Sequence, residues 1–148
     1  MPSMRMRAFL GFIAGAIAVL TFHQGMIAAL HALSPDWVRF MPYRTTPVPP
    51  FGVPVLVSNC FWGGLWGAGF GILQPRFTLP TWSCGLLLGC VAVLAGWFIV
   101  APLKGQPVAG GWVPLNMLRS VLINGFWGLG VGLILPLLMP RPLVRVHP

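Results

Sequence analysis

Apolar residues along this chain gather into four long blocks, parted by stretches where prolines and basic residues collect. The blocks run over about 8–33, 54–73, 81–100 and 114–138. Each approaches the roughly 20 residues that a helix needs to cross a hydrocarbon core about 30 Å thick. No strand is predicted. Pro54 and Pro114 suit the first helical position, where a missing N–H has no partner to lose. Pro136, near the far end of the fourth block, is placed to kink or end it. Arg5 and Arg7 precede the first block in the manner of a signal peptide, but the block is far longer than an h-region of roughly 7–15 residues. No clear Ala-x-Ala site follows it, so a retained helix is expected.

The blocks repeat. Asn59-Cys-Phe-Trp-Gly-Gly-Leu-Trp-Gly67 returns 65 residues later as Asn124-Gly-Phe-Trp-Gly-Leu-Gly-Val-Gly132, and the copies run out into Pro75-Arg76 and Pro140-Arg141. Ahead of them, Pro47-Val-Pro-Pro-Phe-Gly-Val-Pro54 matches Pro107-Val-Ala-Gly-Gly-Trp-Val-Pro114 at an offset of 60. Two helices per copy give both copies the same orientation, related by an axis along the membrane normal. The sequence leaves open how the first helix aligns with the third. The fold class expected is all-α, a single integral membrane four-helix bundle (1–148) made of two parallel helix-pair repeats. Its longer loops, about 34–53 and 101–113, would share the outer face.

Asn59, Gly63, Gly67 and Gly71 follow at i, i+4 spacing, as do Asn124, Gly128 and Gly132, so each set forms one helical ridge. Gly11 and Gly15 give the first helix a similar step. Small residues at this spacing let backbones approach closely in lipid. The expectation is that the second and fourth helices pack on each other through Gly63, Gly67, Gly128 and Gly132.

Composition fixes the solvent. The chain is 57% apolar and 7% charged with a mean hydropathy of +0.85, whereas a soluble domain is about a quarter charged. Asp36 is its one acidic residue. The net charge of +8 comes from basic residues standing singly beside the apolar blocks, not on one face, which excludes nucleic acid as a partner. With the N-terminus inside, Arg5, Arg7, Arg76, Arg141 and Arg145 flank the cytoplasmic side, against Arg39, Arg44, Lys104 and Arg119 outside. The pair before the first helix usually dominates, giving N-in/C-in. Cys60, Cys84 and Cys90 are odd in number and lack a Cys-x-x-Cys pattern, and are read as small buried hydrophobes.

Asn59 and Asn124 each stand 14 residues before the end of their block, about 21 Å along a helix. His23 reaches nearly the same depth on a helix running the other way, with Gln24 beside it. These four side chains would form one polar layer in the outer half of the membrane, with Trp62 and Trp127 a turn deeper. Interhelical glue is the favoured reading of the asparagines, worth about 0.6 kcal/mol on average. His23 has two readings: a functional ionisable group at membrane depth, or a satisfied core histidine.

Other chemistry is thin. His23 and His31 share a helix and His147 lies in the tail, so one chain cannot clamp a bis-His haem. One carboxylate excludes paired-carboxylate catalysis and carboxylate metal sites. No metal or cofactor is expected. Lys104, in the Gly- and Pro-rich loop over 101–112, is the outer-loop candidate for an anionic ligand; the alternative is a turn-rich connection with a snorkelling lysine.

The strings Phe22-His23-Gln24-Gly25, Pro49-Pro50-Phe51-Gly52-Val53-Pro54, Phe61-Trp62-Gly63-Gly64-Leu65-Trp66-Gly67 and Lys104-Gly-Gln-Pro-Val-Ala-Gly-Gly-Trp112 resemble those of small uncharacterised bacterial inner-membrane proteins. The resemblance implies a location and no activity. The function expected is non-enzymatic: a structural, accessory or assembly component of a membrane complex, with the bilayer, a membrane-protein partner or a second copy around it. The rivals are a small-solute or proton-coupled transporter acting as an oligomer, and a haem- or quinone-binding redox subunit.

Overall fold

The computed structural model describes residues 2–140. Four long helices dominate it: α1 (Met4–Leu33), α2 (Val55–Arg76), α3 (Thr81–Leu103) and α4 (Pro114–Leu138). All four are long and apolar enough to cross a membrane, with mean hydropathies of 1.7, 1.2, 2.4 and 2.0. Arg141, Arg145 and His147 lie outside the described residues.

α1 begins earlier than the apolar block because Ser3 caps it, its hydroxyl accepting the Met6 N–H at 3.2 Å. Arg5 and Arg7 therefore lie inside the helix. Arg7 donates from Nε to the Gly71 carbonyl (3.0 Å) and from Nη2 to Gln74 Oε1 (3.1 Å), tying the start of α1 to the end of α2. Pro54 is the residue before α2, while Pro114 takes the first turn of α4. Pro136 sits inside α4 without ending it.

The α1–α2 connection contains a short antiparallel pair, β1 (Pro47–Val48) and β2 (Val53–Pro54), where no strand was expected. Gly52 permits the turn: at φ 67° it returns its N–H to the Val48 carbonyl at 2.9 Å. The α3–α4 connection is wound left-handed, with φ of 51°, 64°, 72° and 58° at Ala109, Gly110, Gly111 and Trp112. Asn116 fastens it by donating to the Gly110 carbonyl at 3.1 Å.

Packing departs from the expected glycine contact. α2 and α4 do not face each other ridge to ridge; each packs along the helix that precedes it. A Cβ on Gly11 would collide with the Gly67 carbonyl, and one on Gly15 with the Gly63 carbonyl. In the second pair, a Cβ on Gly85 would meet the Gly128 carbonyl, and one on Gly89 the Asn124 carbonyl at 2.6 Å. The physical reason is that α1 and α3 carry matching small steps, Gly11/Gly15 and Gly85/Gly89. An antiparallel hairpin brings those steps onto the ridges of its own second helix. Trp127 of α4 does approach α2, its Nε1 standing 3.3 Å from the Cβ position of Gly63.

The two hairpins meet along α1 and α4, giving the order α2–α1–α4–α3. Ala14, Ala18 and Val19 of α1 are buried there with Trp127, Val131 and Leu135 of α4. Phe22 and Phe126 add a tilted ring pair at 5.2 Å.

Gly67→Ala and Gly128→Ala push a methyl into backbone and should each lower stability by about 1–3 kcal/mol. Gly69→Ala and Gly125→Ala meet nothing within 4 Å and should be neutral or gain up to about 1 kcal/mol of helix propensity. Thermal unfolding of the four variants in mild detergent checks the contrast, and equal losses at all four sites would remove the seams.

Candidate functional site

The site begins with a break in helical regularity. α1 makes a π turn over Val19–His23 and α3 makes one over Gly96–Val100. The extra residue in a π turn loosens the i→i+4 ladder and leaves carbonyls open to other donors. Leu20 uses that freedom, its carbonyl accepting the Tyr43 hydroxyl at 2.8 Å. The Tyr43 backbone N–H donates to Gln24 Oε1 at 2.7 Å. Together the two bonds fold the segment over 34–53 back onto α1. Gln24 is only 4% exposed, so this accepted bond settles a polar group that would otherwise be costly to bury. Its Nε2 lies 3.4 Å from His23 Nδ1. His31 fixes the far end of the same loop, with Nδ1 donating to the Val38 carbonyl.

His23, Gln24, Asn59 and Asn124 all line one cavity of about 260 Å³, at the end of the bundle that carries the two longer connections. Arg44, Arg119 and Ser120 complete its polar wall, and Phe40 is its aromatic one. Neither asparagine acts as the interhelical glue expected. Asn124 donates to the Ser120 carbonyl on its own helix at 3.0 Å. Asn59 makes no side-chain hydrogen bond among the described residues, and its amide is free to serve the cavity.

Arg44 and Arg119 set the electrostatics. Each guanidinium carbon stands 5.7 Å from the centroid of the Phe40 ring. Arg119 also donates to the Trp37 carbonyl at 3.3 Å. The cavity wall holds no acidic side chain among the described residues. Two cations beside one ring, Arg44 exposed and Arg119 half-buried, share the cavity wall with polar amides and make a place for negative charge.

A second space adjoins this one, and a third adjoins the second. His23, Asn59 and Asn124 also border an inner cavity of about 190 Å³, walled by Trp62, Trp66 and Trp127 and by Gly96 and Val100 of the second π turn. Trp62 and Trp66 in turn border a groove of about 480 Å³ between α2 and α3. Phe70, Leu73, Leu87 and Leu88 make that groove apolar.

Trp62 and Trp127, which occupy matching places in the two similar sequence segments, part ways. Trp127 is 3% exposed and donates to the Gly15 carbonyl at 3.1 Å, closing the α1–α4 seam. Trp62 is 58% exposed, because α2 and α3 stand apart where α1 and α4 meet.

Lys104 is exposed and away from the cavity wall. No cluster of three His, Cys, Asp or Glu residues able to hold a metal occurs among the described residues. Arg119 and Ser120 are site residues that sequence reasoning passed over, while Arg44 belongs to the other outer loop, readable like that of Lys104 as either a binding loop or a plain connection. A signal was present: Asn116, Ser120 and Asn124 continue the i, i+4 ridge of Gly128 and Gly132 upward. Arg119 lies inside that block, where an arginine is more than a flanking charge. The chain matches no family model, no curated protein and no solved structure.

Trp127→Phe removes the donor to Gly15 and should destabilise the fold by about 1 kcal/mol, whereas Trp62→Phe should leave it unchanged. Paired thermal melts in detergent check this, and equal melting temperatures would mean that the indole bond does not hold the seam.

Proposed function

We propose that this chain is a non-enzymatic integral protein of a bacterial inner membrane, N-in and C-in, whose outward-facing cavity binds an anionic group. The observation that carries the reading is the pair of guanidinium groups beside Phe40 in a cavity whose wall also holds three amides, a hydroxyl and an imidazole among aliphatic side chains. Four apolar helices support the bilayer setting. A binding or solute-handling role takes precedence over a purely structural one, because scaffolding gives no reason to gather uncompensated cations around a cavity.

Duplication of a helical hairpin belongs to the same proposal. Gly15 meets Gly63 as Gly85 meets Gly128, and Gly11 meets Gly67 as Thr81 meets Gly132. The first helix then aligns with the third at an offset of 70, against 65 for the second and fourth. An accessory role beside a partner or a second copy retains one support: only 11% of the apolar window of α3 is buried, against 39% in α1 and α4.

The test places a thiol in the cavity. In a variant with Cys60, Cys84 and Cys90 replaced by alanine, Ser120→Cys is exposed to impermeant methanethiosulfonates added outside intact cells. The anionic reagent should react faster than the cationic one by on the order of tenfold, from two arginines worth about 1 kcal/mol each. Arg44→Gln with Arg119→Gln should erase the difference. Failure of both reagents, or a faster cationic reagent, would overturn the anion reading.

A further inference from the structure

The three adjoining spaces change character in one direction. Cationic and polar at the loop end, they pass a layer of His23, Asn59 and Asn124, then a tryptophan collar, and end in a hydrocarbon-lined groove. We propose that they hold one molecule: a membrane lipid with an anionic phosphate head between Arg44 and Arg119, and a hydrocarbon chain laid between α2 and α3. The proposal rests on the anion reading of the cavity and names its ligand class.

Charge and size select the head. Guanidinium forks match phosphate oxygens in pairs, and the unbonded Asn59 amide adds a neutral donor. A space of about 260 Å³ exceeds what a bare carboxylate, comparable in bulk to two or three waters of about 30 Å³ each, would fill. From Asn59, on the wall of the head cavity, to Leu73 in the groove, α2 advances about 21 Å at 1.5 Å per residue. A chain laid along this path runs past the midplane of a 30 Å core, deeper than one leaflet of about 15 Å.

The broken likeness between the two seams supports a built groove. Where Trp127 closes α1 on α4, Trp62 stands open beside α3. The indoles of Trp62 and Trp66 sit where the head cavity gives way to the groove, at the join that an amphiphile must cross.

The experiment reconstitutes the full chain in phosphatidylcholine vesicles carrying a minor fraction of lipid with brominated acyl chains, since bromine quenches indole emission on contact. Brominated phosphatidylglycerol is compared with brominated phosphatidylcholine. The signal from the groove is the emission lost in a Trp62→Phe, Trp66→Phe variant. The anionic lipid should quench that signal with on the order of tenfold higher apparent affinity, and Arg44→Gln with Arg119→Gln should remove the preference. Equal quenching by the two lipids would overturn the proposal, since the groove would then be wetted by bulk hydrocarbon. So would a preference that survives loss of both arginines. Suppression of the preference by inorganic phosphate would assign the cavity to a free anion and overturn the lipid. The same comparison on the total emission of the native chain needs no variant, so a difference or equality between the two lipids there decides the matter even where a variant misfolds. Anionic thiosulfonate selectivity at Ser120→Cys without lipid preference removes the tail alone; loss of both removes the anion as well.

Discussion

Backbone touching backbone is the constraint on which this structure depends. At Gly11–Gly67, Gly15–Gly63 and Gly85–Gly128 no side chain separates the helices, and carbonyl oxygens stand where a Cβ would be. In lipid, association of apolar helices would bring no hydrophobic gain, and close dispersion contact of this kind would have to supply it. The approach fixes each hairpin's register to one turn. With register fixed, the height of every other residue on the four helices follows, including the polar ones at the loop end.

The site inherits its order from that frame and from the loop folded over it. Tyr43 links the π turn of α1 to Gln24, so the segment carrying Phe40 and Arg44 is docked at two points. Phe40 then holds the loop's arginine beside that of α4. Each piece alone is ordinary: a cation beside a ring, an amide in a helix, a bulge. Convergence of the three on one cavity sets two positive charges on its wall, where an opposite charge would ease their mutual repulsion.

Much of this could be read from residues alone. Apolar length gives the four helices, and counting from helix ends puts His23, Asn59 and Asn124 at similar heights. The partner of each glycine ridge could not be read, because the repeat drew attention to α2 and α4, while the quieter pairs in α1 and α3 decide the contact. The asparagines were misjudged for a different reason. Whether an amide bonds across helices or back to its own carbonyl depends on a rotamer, and spacing does not encode one. The π turns left no compositional mark, and Arg119 looked like a topology signal because charge near a helix end usually is one.

The connection into α4 also acts mechanically. A turn wound against the chain's natural hand over Ala109–Gly110–Gly111–Trp112 is unfavourable for its two non-glycine residues, about 1–2 kcal/mol apiece. It persists with Ala109 fully enclosed and Asn116 clasping Gly110. Such a turn cannot creep by a residue into regular helix without reversing its sense. It serves as a collar on the shaft of α4, setting the level at which the Arg119 charge enters the fold and keeping that charge opposite the loop of Arg44.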